Sequence, residues 1–182
     1  MNEKCISQLI VESQFVDVFD DNADESFYGY ITNQSSELLQ LEHFDEEGRF
    51  DGILILEKED ISRIRWGGNA REITENLISE RTDIEDLILS DMKSAVLSLY
   101  EQFGHVCLTM GMYGTDTMFI GEIHKHQDDS LILHEYGTRS NFDRSYLLLR
   151  WDDISRVQAG GVYEKNLHEL YNKSQPAAPH LR

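Results

Sequence analysis

The chain has 182 residues, 40% hydrophobic and 27% charged, with 34 acidic against 16 basic side chains and a formal net charge of −18. This length allows one domain or two small ones, and no apolar run approaches the roughly 18 residues that span a bilayer. A field this negative repels nucleic-acid phosphates and favours either a cationic partner or solubility alone.

In chain order, Met1 to Ser13 carries apolar residues at helical spacing (Cys5, Ile6, Leu9, Ile10). It lacks the basic and apolar regions of a signal peptide. Strands are predicted at Phe15–Phe19, Phe27–Thr32, Leu39–His43, Ile53–Leu56 and Ile61–Trp66, separated by turn-forming segments such as Asp20-Asp21-Asn22. After Gly67-Gly68 a short polar helix is expected through Ile73, Leu77 and Ile78. Thr82 and Glu85 then read as a capping box leading into the next segment. Met92, Val96, Leu99 and Phe103 mark a second amphipathic helix that stops at Gly104. Five more strands follow at His105–Met110, Met118–His124, Ser130–Tyr136, Ser145–Trp151 and Ile154–Gln158, then a helical spacing at Leu167, Leu170 and Tyr171. Residues 174–182 hold both prolines and read as a flexible tail.

The second series of elements repeats the first. Asp60-Ile61-Ser62-Arg63-Ile64 returns as Asp153-Ile154-Ser155-Arg156-Val157, preceded by Ile53 to Leu56 and Tyr146 to Leu149 and followed by Gly67-Gly68 and Gly160-Gly161. Phe27, Gly29 and Ile31 correspond to Phe119, Gly121 and Ile123, Leu39 and Leu41 to Leu131 and Leu133, and Phe50-Asp51 to Phe142-Asp143. One residue is inserted in the second copy soon after the Phe-Asp pair, where a loop or bulge can absorb it. The chain therefore reads as an internal duplication: residues 1–80, a connecting segment 81–90, residues 91–173, and the tail. The fold class is mainly β with short helices, two tandem small barrels, each an N-terminal helix followed by five antiparallel strands.

A helix, five short strands, a glycine in the second strand and an Asp-Ile signature opening the fifth resemble the Sm/Lsm fold, within the wider set of SH3-like barrels. Gly29-Tyr30-Ile31 with Leu39 and Leu41, and Gly121-Glu122-Ile123 with Leu131 and Leu133, resemble the first Sm motif. Ile53 to Ile64 and Tyr146 to Val157 resemble the second. The resemblance implies rings built by edge-strand pairing and uridine-rich RNA bound in their pore. The base-binding pattern departs here. Where the family carries an Asp and then an Asn, the first copy has Ser35, Ser36 and Leu38, and the second has Asp128, Asp129 and Ser130. Where it carries Arg-Gly, the copies read Glu57-Lys58 and Arg150-Trp151. The resemblance thus carries the fold and edge pairing further than it carries RNA binding.

Charge is unevenly shared. Through Asp91 there are 7 basic and 23 acidic residues, net −16; from Met92 onward there are 9 and 11, net −2. The acidic clusters Asp17, Asp20, Asp21, Asp24, Glu25 and Asp45, Glu46, Glu47 sit at expected loops and are candidates for binding a basic protein surface, with solvated loops as the plain alternative. Six of the seven histidines lie in the second half. If Ile123 pairs with Leu133, then His124 pairs with Ile132 and Glu122 with His134, gathering Glu122, His124, His126 and His134 on one outer face. Glu122, His124 and His134 are candidate metal ligands of zinc type, with a solvated polar face as the plain alternative. Arg63 and Arg156 suggest an ion pair repeated within each half. Tyr28, Tyr30, Trp66 and Trp151 could line an interface or fill space between the halves. Cys5 and Cys107 form no disulfide or metal spacing. No histidine sits at matching places beside Ser62 and Ser155, so no nucleophile and base is expected. The expectation is a cytoplasmic, non-catalytic binding or assembly module without cofactor, acting on a protein partner or on further copies of itself. RNA binding and metal binding are the alternatives.

Overall fold

The computed structural model describes residues 2–20, 25–81, 84, 87–111, 117–136 and 144–174. Asp21, Asp24, the Thr82 and Glu85 capping box and residues 175–182 lie outside them, as does the side chain of Glu25. The elements are α1 (Glu3–Val11), β1 (Phe15–Asp20), β2 (Glu25–Gln34), β3 (Leu38–Phe44), β4 (Phe50–Glu57), β5 (Ile61–Trp66) and α2 (Asn69–Leu77). The second half follows with α3 (Met92–Phe103), β6 (Val106–Met110), β7 (Met118–His126), β8 (Ser130–Glu135), β9 (Tyr146–Arg150), a 3-10 turn (Trp151–Asp153), β10 (Ile154–Ala159) and α4 (Val162–Ser174).

Local chemistry explains the helix starts. The Asn2 side chain accepts from the N–H groups of Lys4 and Cys5, and Asp91 Oδ1 accepts from Ser94 N at 2.7 Å. Both occupy donors that have no partner inside the first turn.

The ten strands form one antiparallel sheet in the order β5-β1-β2-β3-β4-β10-β6-β7-β8-β9. Within each half the order is fifth, first, second, third, fourth. The fourth strand is not followed in space by its own fifth: β5 returns to β1, β10 returns to β6, and β4 pairs with β10. One sheet therefore runs through both halves. The glycines of the second strands have the same cause in each copy. A Cβ on Gly29 would run into the carbonyl of Glu42, and one on Gly121 into that of His134, because the neighbouring strand crosses tightly there.

The register also repeats. A bulge falls between Ile31 and Asn33 on β2 and between Ile123 and Lys125 on β7. Glu122 faces His134 as expected, but Ile132 pairs with Lys125, so the predicted partnership of His124 with Ile132 is wrong. His124 is the extra residue of the bulge.

The core explains why the halves do not separate. Ile6, Leu9, Val16, Val18, Leu39, Leu41, Leu54 and Leu56 form one cluster within the first half. A larger cluster built on α3, β6 and β10 takes in Leu38, Ile53 and Ile55 from β3 and β4. Leu87 and Leu89 of the connecting segment are buried in it too.

Candidate functional site

The seam between β4 and β10 pairs Leu56, Ile55, Leu54 and Ile53 with Arg156, Val157, Gln158 and Ala159. Arg156 is buried and crosses the seam. Its guanidinium lies 3.5 Å from Asp20 and 4.8 Å from the Phe27 ring centre, and its Nε donates to Thr109 Oγ1 at 3.3 Å. The expected ion pair within each half is thus, for Arg156, a pair between halves. Its counterpart Arg63, at the outer end of the sheet, is exposed and lies 3.8 Å over the Phe19 ring. At the seam's end, Asp51 of β4 accepts from Val162 N of α4 at 3.2 Å through Oδ1 and from Gln158 Nε2 at 2.8 Å through its carbonyl.

Among the described residues the end strands are β5 and β9, the counterparts of β10 and β4. This correspondence defines the candidate site. Ile53 and Ile55 are 0% exposed in the seam, whereas their counterparts Tyr146 and Leu148 on β9 are 58% and 74% exposed. Trp66 at the far end of β5 is 48% exposed, and its counterpart Ala159 is buried. Trp151, in contrast, is buried, and so is Tyr30.

Each half carries a cleft that reaches the loop between its second and third strands. The first, about 500 Å³, is lined by Ser36, Glu37, Glu57, Lys58 and Glu59. The second, about 620 Å³, is lined by residues including Lys125, His126, Gln127, Asp129 and Leu148. Lys58 and Trp151, which stand where the family pattern has glycine, do the same job in both. Lys58 Nζ donates to the carbonyl of Ser35 and to Gln34 Oε1. Trp151 Nε1 donates to the carbonyl of Gln127, the counterpart of Ser35, at 3.0 Å. Each side chain fastens the loop between the second and third strands, and Lys58 also lines the first cleft. In the first cleft, burial and then Asp60, Glu59 and Glu37 push the Glu57 carboxyl up to about 7.

The candidate metal ligands are not brought together as a metal centre. Glu122 Oε1 accepts from Tyr136 Oη at 2.8 Å and Oε2 from Arg144 at 3.3 Å. His134 stacks on Tyr146 at 4.3 Å, and His124 lies 4.9 Å from the same ring. No group of three His, Cys, Asp or Glu among the described residues could hold a metal ion. Glu122 instead anchors α4. With Tyr136 donating to Glu122, His168 Nδ1–H donates to Tyr136 Oη at 2.6 Å, and Nε2 accepts from Asn172 at 2.9 Å. Burial and then the bond to Glu122 raise the Tyr136 hydroxyl pKa.

Of the acidic candidates, Asp17 and Asp20 are buried, Asp20 against Arg156. Asp45 closes its own turn, accepting from the N–H groups of Glu47 and Arg49 and from Arg49 Nε at 2.7 Å. Burial works to raise its carboxyl, but the Arg49 bonds outweigh that and hold it below the usual range. Glu46 and Glu47 remain exposed, with Glu47 2.9 Å from Arg49. Sequence reasoning missed Glu37, Glu57 and Glu59 as a group, because they come from two separate turns, β2–β3 and β4–β5, which the pairing of β3 with β4 brings side by side.

No family model matches the chain, and neither a curated protein nor a solved structure does.

Proposed function

We propose that the protein is a non-catalytic assembly module made of two Sm-like units in tandem, joined edge to edge, whose remaining edges take further copies of the chain. The seam between β4 and β10 carries this reading. It is a strand pairing between one unit's fourth strand and the other's fifth, and the chain still offers one fourth strand, β9, and one fifth strand, β5. An end strand is an open template, and Leu148 and Tyr146 beside it are apolar surface at positions that the seam buries. Charge favours head-to-tail pairing: β5 to β5 would set two halves of net −16 together, whereas β5 to β9 sets −16 against −2. Glu46 and Glu47, exposed on the first half, remain available to a protein partner. Lys58 and Trp151, standing where the family pattern has glycine and bonded to the loop before the third strand, weigh against family-type RNA binding.

The test is native mass by light scattering on a sizing column, with the absorbance ratio recorded across the peak. The expected result is a multimer free of nucleic acid, reduced to monomer by Leu148→Asp. A monomer at all concentrations would overturn the assembly reading, and a peak carrying nucleic acid would restore RNA binding.

A further inference from the structure

The internal seam has a register that the free edges can repeat. β4 and β10 run antiparallel with Ala159 opposite Ile53, Val157 opposite Ile55 and Arg156 opposite Leu56. Ile53, Ile55, Val157 and Ala159 all lie in the cluster under α3. By the repeat, β5 carries Trp66, Ile64 and Arg63 at the places of Ala159, Val157 and Arg156. β9 carries Tyr146, Leu148 and Leu149 at those of Ile53, Ile55 and Leu56. Trp66, Tyr146 and Leu148 are exposed, and Ile64 is half-buried against the first-half cluster. In the seam's register the uncovered apolar side chains of the two edges fall opposite one another.

Resting on the assembly reading above, we propose that β9 takes β5 of a second copy in this one register, with Trp66 clasped on Tyr146 and Ile64 on Leu148. An aromatic pair set directly across two strands adds ring contact to the strand pairing. Ile64 brings the first-half cluster of the incoming copy over Leu148, as Val157 brings the cluster under α3 over Ile55. The same residues keep the two seams distinct. Ala159 and Ile53 are fully buried, so Trp66 in the place of Ala159 would overfill the internal seam, and β5 is a poor substitute for β10 on β4. Exposed Tyr146 sets no such limit on β9. The arginines of β5 need no carboxylate across the junction. Arg65 is 3.9 Å from Asp17 of its own copy. Arg63 lies over Phe19, and the register sets it beside Phe119, the counterpart of the Phe27 ring on which Arg156 lies. Asp20, the acid beside Arg156, has Met112 at its place in the second half, so the outer seam lacks that ion pair and is the weaker of the two.

The test is disulfide trapping of the full chain in a Cys5→Ser background, with buried Cys107 left in place. Residues directly opposite in an antiparallel pair have Cα atoms about 4.5–5.5 Å apart, within reach of a disulfide, whereas diagonal neighbours at about 7–8 Å are not. Oxidising a mixture of Ile64→Cys and Leu148→Cys chains should give a disulfide-linked dimer. A mixture of Ile64→Cys and Tyr146→Cys chains should not, nor should Leu148→Cys chains alone. Trp66→Ala, a change at an exposed side chain, should weaken association roughly thirtyfold in sedimentation velocity, as for a central aromatic anchor. Trapping in the shifted mixture or between Leu148→Cys chains overturns the proposal while leaving assembly standing. Multimers that no mixture traps, or association unchanged by Trp66→Ala, do the same. A chain that sediments as a monomer at all concentrations overturns both readings.

Discussion

His105 is 2% exposed, and neither ring nitrogen has a hydrogen-bond partner. Burial, then His168, push its pKa down to about 4. The unfolded chain takes up this proton near pH 6.5, before the folded one does. Its contribution is therefore whole above about pH 6.5 and lost as pH falls towards 4, by on the order of 2–3 kcal/mol. His105→Leu should flatten that limb of a urea-midpoint-against-pH curve. Glu57 runs the other way. Its folded pKa of about 7 lies above the unfolded value, so its penalty is absent below about pH 4.5, grows as pH rises to 7 and stays constant above it. Glu57→Gln should stabilise the protein at about pH 8 and change little at about pH 4.5; an unchanged midpoint at the higher pH would contradict the burial argument. Arg156 tests the seam at the same scale. Arg156→Met removes a guanidinium from buried Asp20 and should lower stability by about 3–5 kcal/mol, with Asp20→Leu in the same chain restoring most of it. A double variant no better than the single one would mean that the packing on Phe27, rather than the charge, holds the seam.

At the scale of elements, the repeat made most of the fold legible. Ile61–Trp66 was readable to the residue, because alternation and a glycine pair bound it on both sides. Met92–Phe103 was readable because its apolar residues step by four, three and four before Gly104. The second-strand glycine was readable as a close crossing, and Gly121→Ala should destabilise the protein by several kcal/mol in chemical denaturation, since a carbonyl and not a flexible side chain occupies the space. Two features were not legible. Pairing Ile123 with Leu133 fixes the register only up to the first bulge, and nothing in Ile123-His124-Lys125 announces one, so His124 was set opposite the wrong residue. The seam was not legible either, because Leu54 and Leu147 look alike in sequence. What separates their strands is the outward pair, Ile53 and Ile55 against Tyr146 and Leu148, and its meaning depends on which strand has a neighbour. Asp20 was illegible for a related reason: whether it is a loop carboxylate or a buried one is decided by Arg156, more than a hundred residues away.

For the whole molecule, a shared core has a consequence that two independent units would not. Leu38, Ile53 and Ile55 belong to the first half in sequence and to the cluster under α3 in space. Neither half can expose that surface without the other losing its packing, so the chain should unfold as a single cooperative unit. The chain supplies its own reporters, having two tryptophans, Trp66 on β5 and Trp151 after β9. Trp66→Phe leaves a probe in the second half, and Trp151→Phe leaves one in the first at a loss of about 1 kcal/mol for the missing Nε1 bond to Gln127. After correction for that loss, the two fluorescence midpoints in urea should coincide. Ile55→Ala, a truncation in the first half, should then shift both probes by the same amount, about 2–5 kcal/mol. A shift confined to the Trp66 signal would mean that β4 and β10 part before the second half unfolds. In that case the seam would open as readily as an interface between separate chains, and the pairing between β9 and β5 of different molecules would be a competitor of the internal one instead of its continuation.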